Sequence, residues 1–257
     1  MMIRSYYLLK RARWWMEQAR FFLFKRKLSQ EDLTYLEKYF SFFNRLNPQH
    51  KKEFLEKLEM VLSTKKFIPR GGLLEVTVEM ELLISATIAM VTFGWKRLRL
   101  AHFHTILVYP NAYYSTSNKT YHRGEVNPKF GLIVISWHCF VEGLLDENDG
   151  VNLGIHEIAH ALKLANQIDT DGEKEFETQA WKTYKSLVPE EIAKVKSGEN
   201  ALFRENAALN EHEFFAVALE NFFERPWEFF RARQELYLAL VQLMKLDPRV
   251  WAKTEMN

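Results

Sequence analysis

The chain has 257 residues, 47% of them hydrophobic and 26% charged, with a formal net charge of +2. That length suits one large domain or two small ones, and the charge excludes a molecule that binds nucleic acid as a whole-body polycation. One cysteine, Cys139, excludes an internal disulfide and any Cys-rich metal site, and fits a reducing, cytoplasmic setting.

Residues 1–27 form a basic, aromatic N-terminal arm, predicted helical, with Trp14, Trp15, Phe21, Phe22 and Phe24 among Arg and Lys. Two readings fit: a membrane-surface helix giving peripheral membrane contact, or an arm that packs its rings on the domain and leaves its charges in water. No uninterrupted apolar core of a secretory signal is visible. The most apolar run, "LLISATIAMVTFGW", falls short of the ~20 residues that span a bilayer, and reads as a buried helix ending at Gly94.

The remainder, 28–257, reads as one domain, with a helical lead-in over 28–95 and a catalytic core over 96–257. "LSQEDLTYLEKYFSFFNRL" opens on the helix cap Ser29 and repeats apolar residues at helical spacing. Asn47 and Pro48 begin a second amphipathic helix, "PRGG" marks a turn, and "TVEMELLISATIAMVTFG" is a third helix. "HTILVYP" and "GLIVISW" are β-branched strands, either of which could lend its edge to an extended peptide. The polar stretch "STSNKTYHRGEVNP" between them is a loop or hairpin. Helices follow from Val151, near Lys174–Leu187, over Glu211–Glu224 and over Trp227–Lys245, so the fold class is α+β, mostly helical with a small sheet.

"VNLGIHEIAHALKLAN" carries the chemistry. His156 and His160 stand four apart, on one helix face, so two imidazole nitrogens reach one metal ion. Glu157 is turned away from that face but stays near the ion, placed to hold a water there and take its proton. This is the H-E-x-x-H pattern of zinc peptidases. The bland alternative is a pair of hydrogen-bonded core histidines beside a surface glutamate. No histidine follows closely after His160, so a third ligand has to come from "NEHEFFAVALENFFERP", where Glu211, His212, Glu213 and Glu220 are candidates. Glu213, Ala216, Val217 and Glu220 share one face. Glu220, two turns beyond Glu213, could hold a ligand histidine, or it and Glu224 could be solvated acids.

These pieces resemble the Mlc titration factor A family, bacterial zinc metallopeptidases of the gluzincin type. The resemblance runs from "LSQEDLTYLEKYF" to "VQLMKLDP", carried by "FIPRGGLLEVTVEMELLISATIAM", "ILVYP", "VISW" with "DGVNLGIHEIAHAL", and "NEHEFFAVALENFFERPWEF". It implies a zincin-like fold related to the catalytic domain of anthrax lethal factor, with zinc held by His156, His160 and Glu213 and with Glu157 as general base. It selects Glu213 over His212. It also implies aminopeptidase-like activity on small peptides and, in enterobacterial members, a glucose-responsive repressor as a partner, making a regulatory binding protein the alternative function. Two positions depart from the family pattern. Lys163 stands where an Asp is common, and Asn206 where a tyrosine precedes the glutamate ligand; Tyr113, Tyr114 and Tyr184 are the candidates to replace it. The loop after Tyr113 is long enough to act as a lid.

Overall fold

The computed structural model describes residues 26–95, 100–115, 120–168 and 176–251. The N-terminal arm, apart from Arg26 and Lys27, and the middle of the loop after Tyr113 lie outside these residues.

Three helices lead in. α1 (Gln30–Tyr39) starts from a capping box, Ser29 Oγ accepting from the Asp32 N–H while the Asp32 carboxylate accepts from the Ser29 N–H. The single helix expected here breaks at Phe40, whose non-helical backbone starts the short α2 (Ser41–Arg45). The break lets Phe40, Phe42 and Phe43 all pack around Phe54. α3 (Pro48–Thr64) has the expected Asn47 cap and Pro48 in its first turn. α4 (Val78–Val91), capped by Thr77, is buried along nearly its whole length and gives way to a turn before Gly94. Among the described residues, no helix is long and apolar enough to cross a membrane.

The sheet has the order β1-β2-β6-β5, made of β1 (Lys66–Pro69), β2 (Thr105–Tyr109), β6 (Leu132–Ser136) and β5 (Gly124–Asn127). β1, β2 and β6 run parallel, and β5 runs antiparallel to β6. A separate hairpin pairs β3 (Tyr113–Ser115) with β4 (Thr120–His122). The two expected strands are present but interior, each with a neighbour on both sides. They cannot lend an edge to a peptide. The free edge next to β6 is β5, inside the stretch read as a loop or hairpin, where alternation over four residues is too short a signal.

After β6 come α5 (Trp137–Leu145), α6 (Leu153–Ile168), α7 (Thr178–Ser197), a 3-10 turn (Glu205–Ala208), α8 (Glu211–Glu224), α9 (Pro226–Ala232), α10 (Gln234–Met244) and a last 3-10 turn (Pro248–Val250). α7 runs through Pro189 rather than stopping near Leu187, because Tyr184, Val188 and Val195 keep an apolar face in the core. The predicted last helix is two, divided at Arg233. The whole is α+β. One apolar core runs from Leu36 to Leu246, and lead-in helices and sheet share it. α6 lies on β5 and β6 and packs on α8 and α4. α8 buries Phe214, Phe215 and Phe222 completely, each worth on the order of 2–3 kcal/mol relative to exposure. That burial fixes α8 beside α6.

Candidate metal centre

α6 begins where the Asn152 side chain accepts a hydrogen bond from the Ile155 N–H at 3.0 Å. Ile155, Ile158, Ala159 and Leu162 turn into the core. The opposite face presents His156 and His160, whose Nε2 atoms are 3.1 Å apart. In α8, the Asn210 carboxamide oxygen accepts from the N–H groups of His212 and Glu213, which sets the first turn. Glu213 then reaches both rings, Oε2 lying 3.4 Å from His156 Nε2 and Oε1 3.3 Å from His160 Nε2. Ligand atoms of the three side chains lie within 4.8 Å of one another and can hold a metal ion. Among the described residues they are the one group of this kind. Glu211 and His212 are exposed and stand outside it.

Glu220 is fully buried, with Oε1 2.7 Å from His156 Nδ1. Its other oxygen accepts from the Asn152 N–H at 2.7 Å. Arg204 grips both oxygens, each at 2.7 Å. Glu224 is no solvated acid either: it accepts from the Gly150 N–H at 3.1 Å and from Asn152 Nδ2 at 3.0 Å. Burial, with Asp149 and Glu220 nearby, raises its carboxyl to about 8 despite those bonds. Gly150 takes a positive φ of 73° at this turn, which favours glycine.

Glu157 is 5% exposed, not on the surface. Its carboxyl lies against Gly124 of β5, where an added Cβ would come within 2.6 Å of its Cγ and Cδ. Burial raises it to about 8, the charges of Glu213, Glu220 and Glu125 adding to this and a charged His156 opposing it. Burial works against a charge on His156, but the Glu213 and Glu220 carboxylates outweigh it and raise the ring to about 10. His156 and His160 in turn hold Glu213 far below the usual carboxylate range, against its burial.

Two lobes of a cleft meet at Gly124, His156 and Glu157. The larger, of about 640 Å³, is lined by Tyr121, His122, Arg123, Arg204 and Asn206 among others. The smaller, of about 340 Å³, has Glu125, Val126, His160, His212 and Glu213 in its wall. Asn206 is therefore at the site. Of the three tyrosines, Tyr113 is the one whose hydroxyl feels the charge of Glu157. It donates to Glu125 at 3.0 Å, and burial first, then those carboxylates, hold its proton on more firmly than usual. Tyr114 faces Tyr121 on the exposed hairpin, and Tyr184 is sealed against Trp181 and Phe215.

Residues 12–245 match the family model described as glucose-regulated metallo-peptidase M90. The chain belongs to this family. Among curated relatives, the uncharacterized protein slr2042 of Synechocystis sp. is 25% identical over 252 residues, covering 92% of this chain and 91% of that one. Mlc titration factor A of Yersinia pestis and of Yersinia pseudotuberculosis is 26% identical over 198 residues, covering 70% of this chain and 72% of theirs.

In this M90 chain the family match spans α6, α8 and the 3-10 turn that precedes α8. The reading of the sequence passed over three residues at the site: Arg204, Asn152 and Gly124. Arg204 is 48 positions from His156 in a loop without a motif. Asn152 could have been found as a cap before the H-E-x-x-H helix. Gly124 sits between charged residues, where a glycine reads as a turn.

Proposed function

We propose that the chain is a zinc-dependent peptidase with a zincin-like catalytic domain, acting on peptides and aminopeptidase-like in specificity. The observation that carries this is the convergence of the His156, His160 and Glu213 side chains on one point. Tetrahedral zinc with bonds of ~2.0–2.1 Å sets neighbouring ligands ~3.3 Å apart. The two imidazole Nε2 atoms stand 3.1 Å apart, one Glu213 oxygen lies 3.4 Å from His156 and the other 3.3 Å from His160, and one ligand atom from each side chain lies within 4.8 Å of the other two. Two neutral imidazoles and one carboxylate suit zinc chemically and leave a fourth position open.

Bound zinc would supply Lewis acidity toward the scissile carbonyl and lower the pKa of water. Glu157 acts as the general base, taking the proton of the attacking water and returning it to the departing amine. Its raised carboxyl suits both transfers, and a dication nearby would draw it back toward neutrality. Glu220 fixes the His156 ring by accepting from Nδ1, which leaves Nε2 for the metal.

Among the described residues, β5 offers an extended peptide a free edge beside this site. The Ser136 N–H donates to the Arg123 carbonyl, so Arg123 and Glu125 turn their backbone groups toward β6. Gly124 and Val126 turn theirs outward, along the cleft. A peptide paired antiparallel to β5 lays its N-terminal end toward Val126, in the smaller lobe. There Glu125 offers an acceptor for a free ammonium group, which supports the aminopeptidase-like reading.

The test is hydrolysis of a mixed peptide library by wild type and Glu157→Gln, both zinc-loaded. Cleavage by wild type and loss of ~10²–10⁴ in the variant is the expected result. A second reading rests on the name of the Yersinia relatives: a zinc-containing regulatory protein that sequesters a partner. If both proteins hold zinc and neither cleaves, that reading replaces the first. A cytoplasmic setting, with membrane contact through residues 1–27, is part of the proposal. Equal flotation on liposomes with and without the arm would remove the membrane contact.

A further inference from the structure

The buried Glu220 carboxylate meets four donors or rings: the Asn152 N–H, both terminal nitrogens of Arg204, and His156 Nδ1. Without Arg204, two contacts remain, the Asn152 N–H on one oxygen and His156 Nδ1 on the other, and neither fixes the plane of the carboxylate. The guanidinium does so, since both its nitrogens sit 2.7 Å from separate oxygens in a fork-to-fork pair. Nη1 also donates to the Gly150 carbonyl at 2.8 Å, and Nη2 lies 3.3 Å from His156 Nδ1. Gly150 is the turn that feeds α6, and its N–H is held by Glu224. One side chain thus ties the α6 entry turn, the α8 carboxylate and the His156 ring together.

We infer that Arg204 is the positioning residue of this centre: it holds Glu220 in the orientation that aims His156 Nε2 at the metal. This rests on the reading of His156 as a metal ligand. Arg204 is not a buried structural cation placed for stability alone. Its side chain is 28% exposed and lines the larger lobe, two residues before Asn206. The same grip therefore anchors the loop that brings Asn206 to the cleft. Lysine would keep the charge but lose the fork.

The experiment is zinc affinity by competition with a chromophoric chelator, for wild type, Arg204→Ala, Arg204→Lys, Glu220→Gln and the Arg204→Ala/Glu220→Gln double variant. Circular dichroism checks that each is folded. Arg204→Ala is expected to bind zinc ~10–100-fold more weakly, as for other groups that orient a ligand histidine. Arg204→Lys should fall between it and wild type. The double variant should bind no more than about twofold more weakly than the weaker single, because the two residues act through one contact. Wild-type affinity in Arg204→Ala, or losses that add in the double variant, would overturn the inference. Should Arg204→Ala fail to fold, Arg204→Lys decides, with wild-type affinity there counting against the fork. A wild-type protein that takes up no zinc overturns both this inference and the peptidase reading. One that binds zinc yet cleaves nothing sinks the peptidase reading alone, since affinity is measured without turnover.

Discussion

The Glu157 carboxyl fills the space that a side chain on Gly124 would need, with Cγ and Cδ of Glu157 2.6 Å from the position of an added Cβ. The backbone of Gly124 does not have a positive φ, so alanine suits it conformationally. The conflict is with the stem of a side chain that is 5% exposed and cannot simply swing into solvent. Gly124→Ala should therefore displace Glu157, the proposed general base. Hydrolysis is expected to fall ~10²-fold or more with zinc content unchanged. Turnover within twofold of wild type would show that Glu157 has room to move.

Val126 tests the free edge of β5. Its N–H points away from β6, so proline there removes no bond of the sheet and is tolerated as on other edge strands. If peptides pair with this edge, Val126→Pro should raise KM about tenfold, the worth of roughly one hydrogen bond at 1.4 kcal/mol. Zinc content and melting temperature should hold. An unchanged KM for peptides of three or more residues would mean that substrate does not lie along β5.

Zinc loading should depend on pH. Glu213 and Glu220 keep a proton on His156 up to about 10 in the metal-free site, overcoming its burial. The metal needs that ring unprotonated, so binding expels a proton at neutral pH, and affinity rises with pH by about tenfold per unit for each proton released. Calorimetry in two buffers of different ionisation enthalpy counts the protons. A heat independent of buffer, with flat affinity from pH 6 to 8, would exclude the linkage. Chelation should also lower the melting temperature, since zinc at 100 times its Kd adds about 2.7 kcal/mol to folding.

Lys163, at the position where the resembled family carries an acid, donates from Nζ to the Glu211 carbonyl at 2.6 Å and is 3% exposed. It ties α6 to the first turn of α8, two residues from Glu213. Lys163→Ala removes this tie between the helices and leaves a void where its buried stem packs, costing about 2–3 kcal/mol. For a domain of this size that lowers the melting temperature by about 5–10 °C. Burial, with Lys185 adding and Glu211 opposing, brings the ammonium down to about 8 from 10.5. Between those values the unfolded chain holds more protons. The penalty of burying this charge, full below about pH 8, therefore eases as pH rises toward 10.5. Lys163→Met should lack this pH dependence. A wild-type melting temperature for Lys163→Ala would show the bond to be dispensable.

Much of the site could be read from residues in sequence, because its core is local. His156, Glu157 and His160 lie within one helical turn, and helix periodicity alone orients them. α8 was legible from Glu211 to Glu224 for the same reason, and the Glu213 to Glu220 spacing placed both acids on one face. The third ligand was not fixed by periodicity, since Glu211, His212, Glu213 and Glu220 all remained open. The family resemblance chose among them, and the contact of α8 with α6 brings Glu213 against both rings.

What the tertiary structure decided is everything that joins distant segments. A four-residue edge strand, β5, has too little pattern to stand out, yet it supplies the free edge and the glycine that makes room for Glu157. The strands with the strongest β-branched signal became interior strands, since continuous apolar runs suit burial on both faces and their edges are paired. Arg204 reaches Glu220 and Gly150 across loops that no periodicity links. The sequence by itself determined the chemistry available on each helix face. Which carboxylate meets which ring, and which buried charge is gripped by which cation, depended on packing, because contacts between remote segments are set by how apolar faces such as those of α6 and α8 dock.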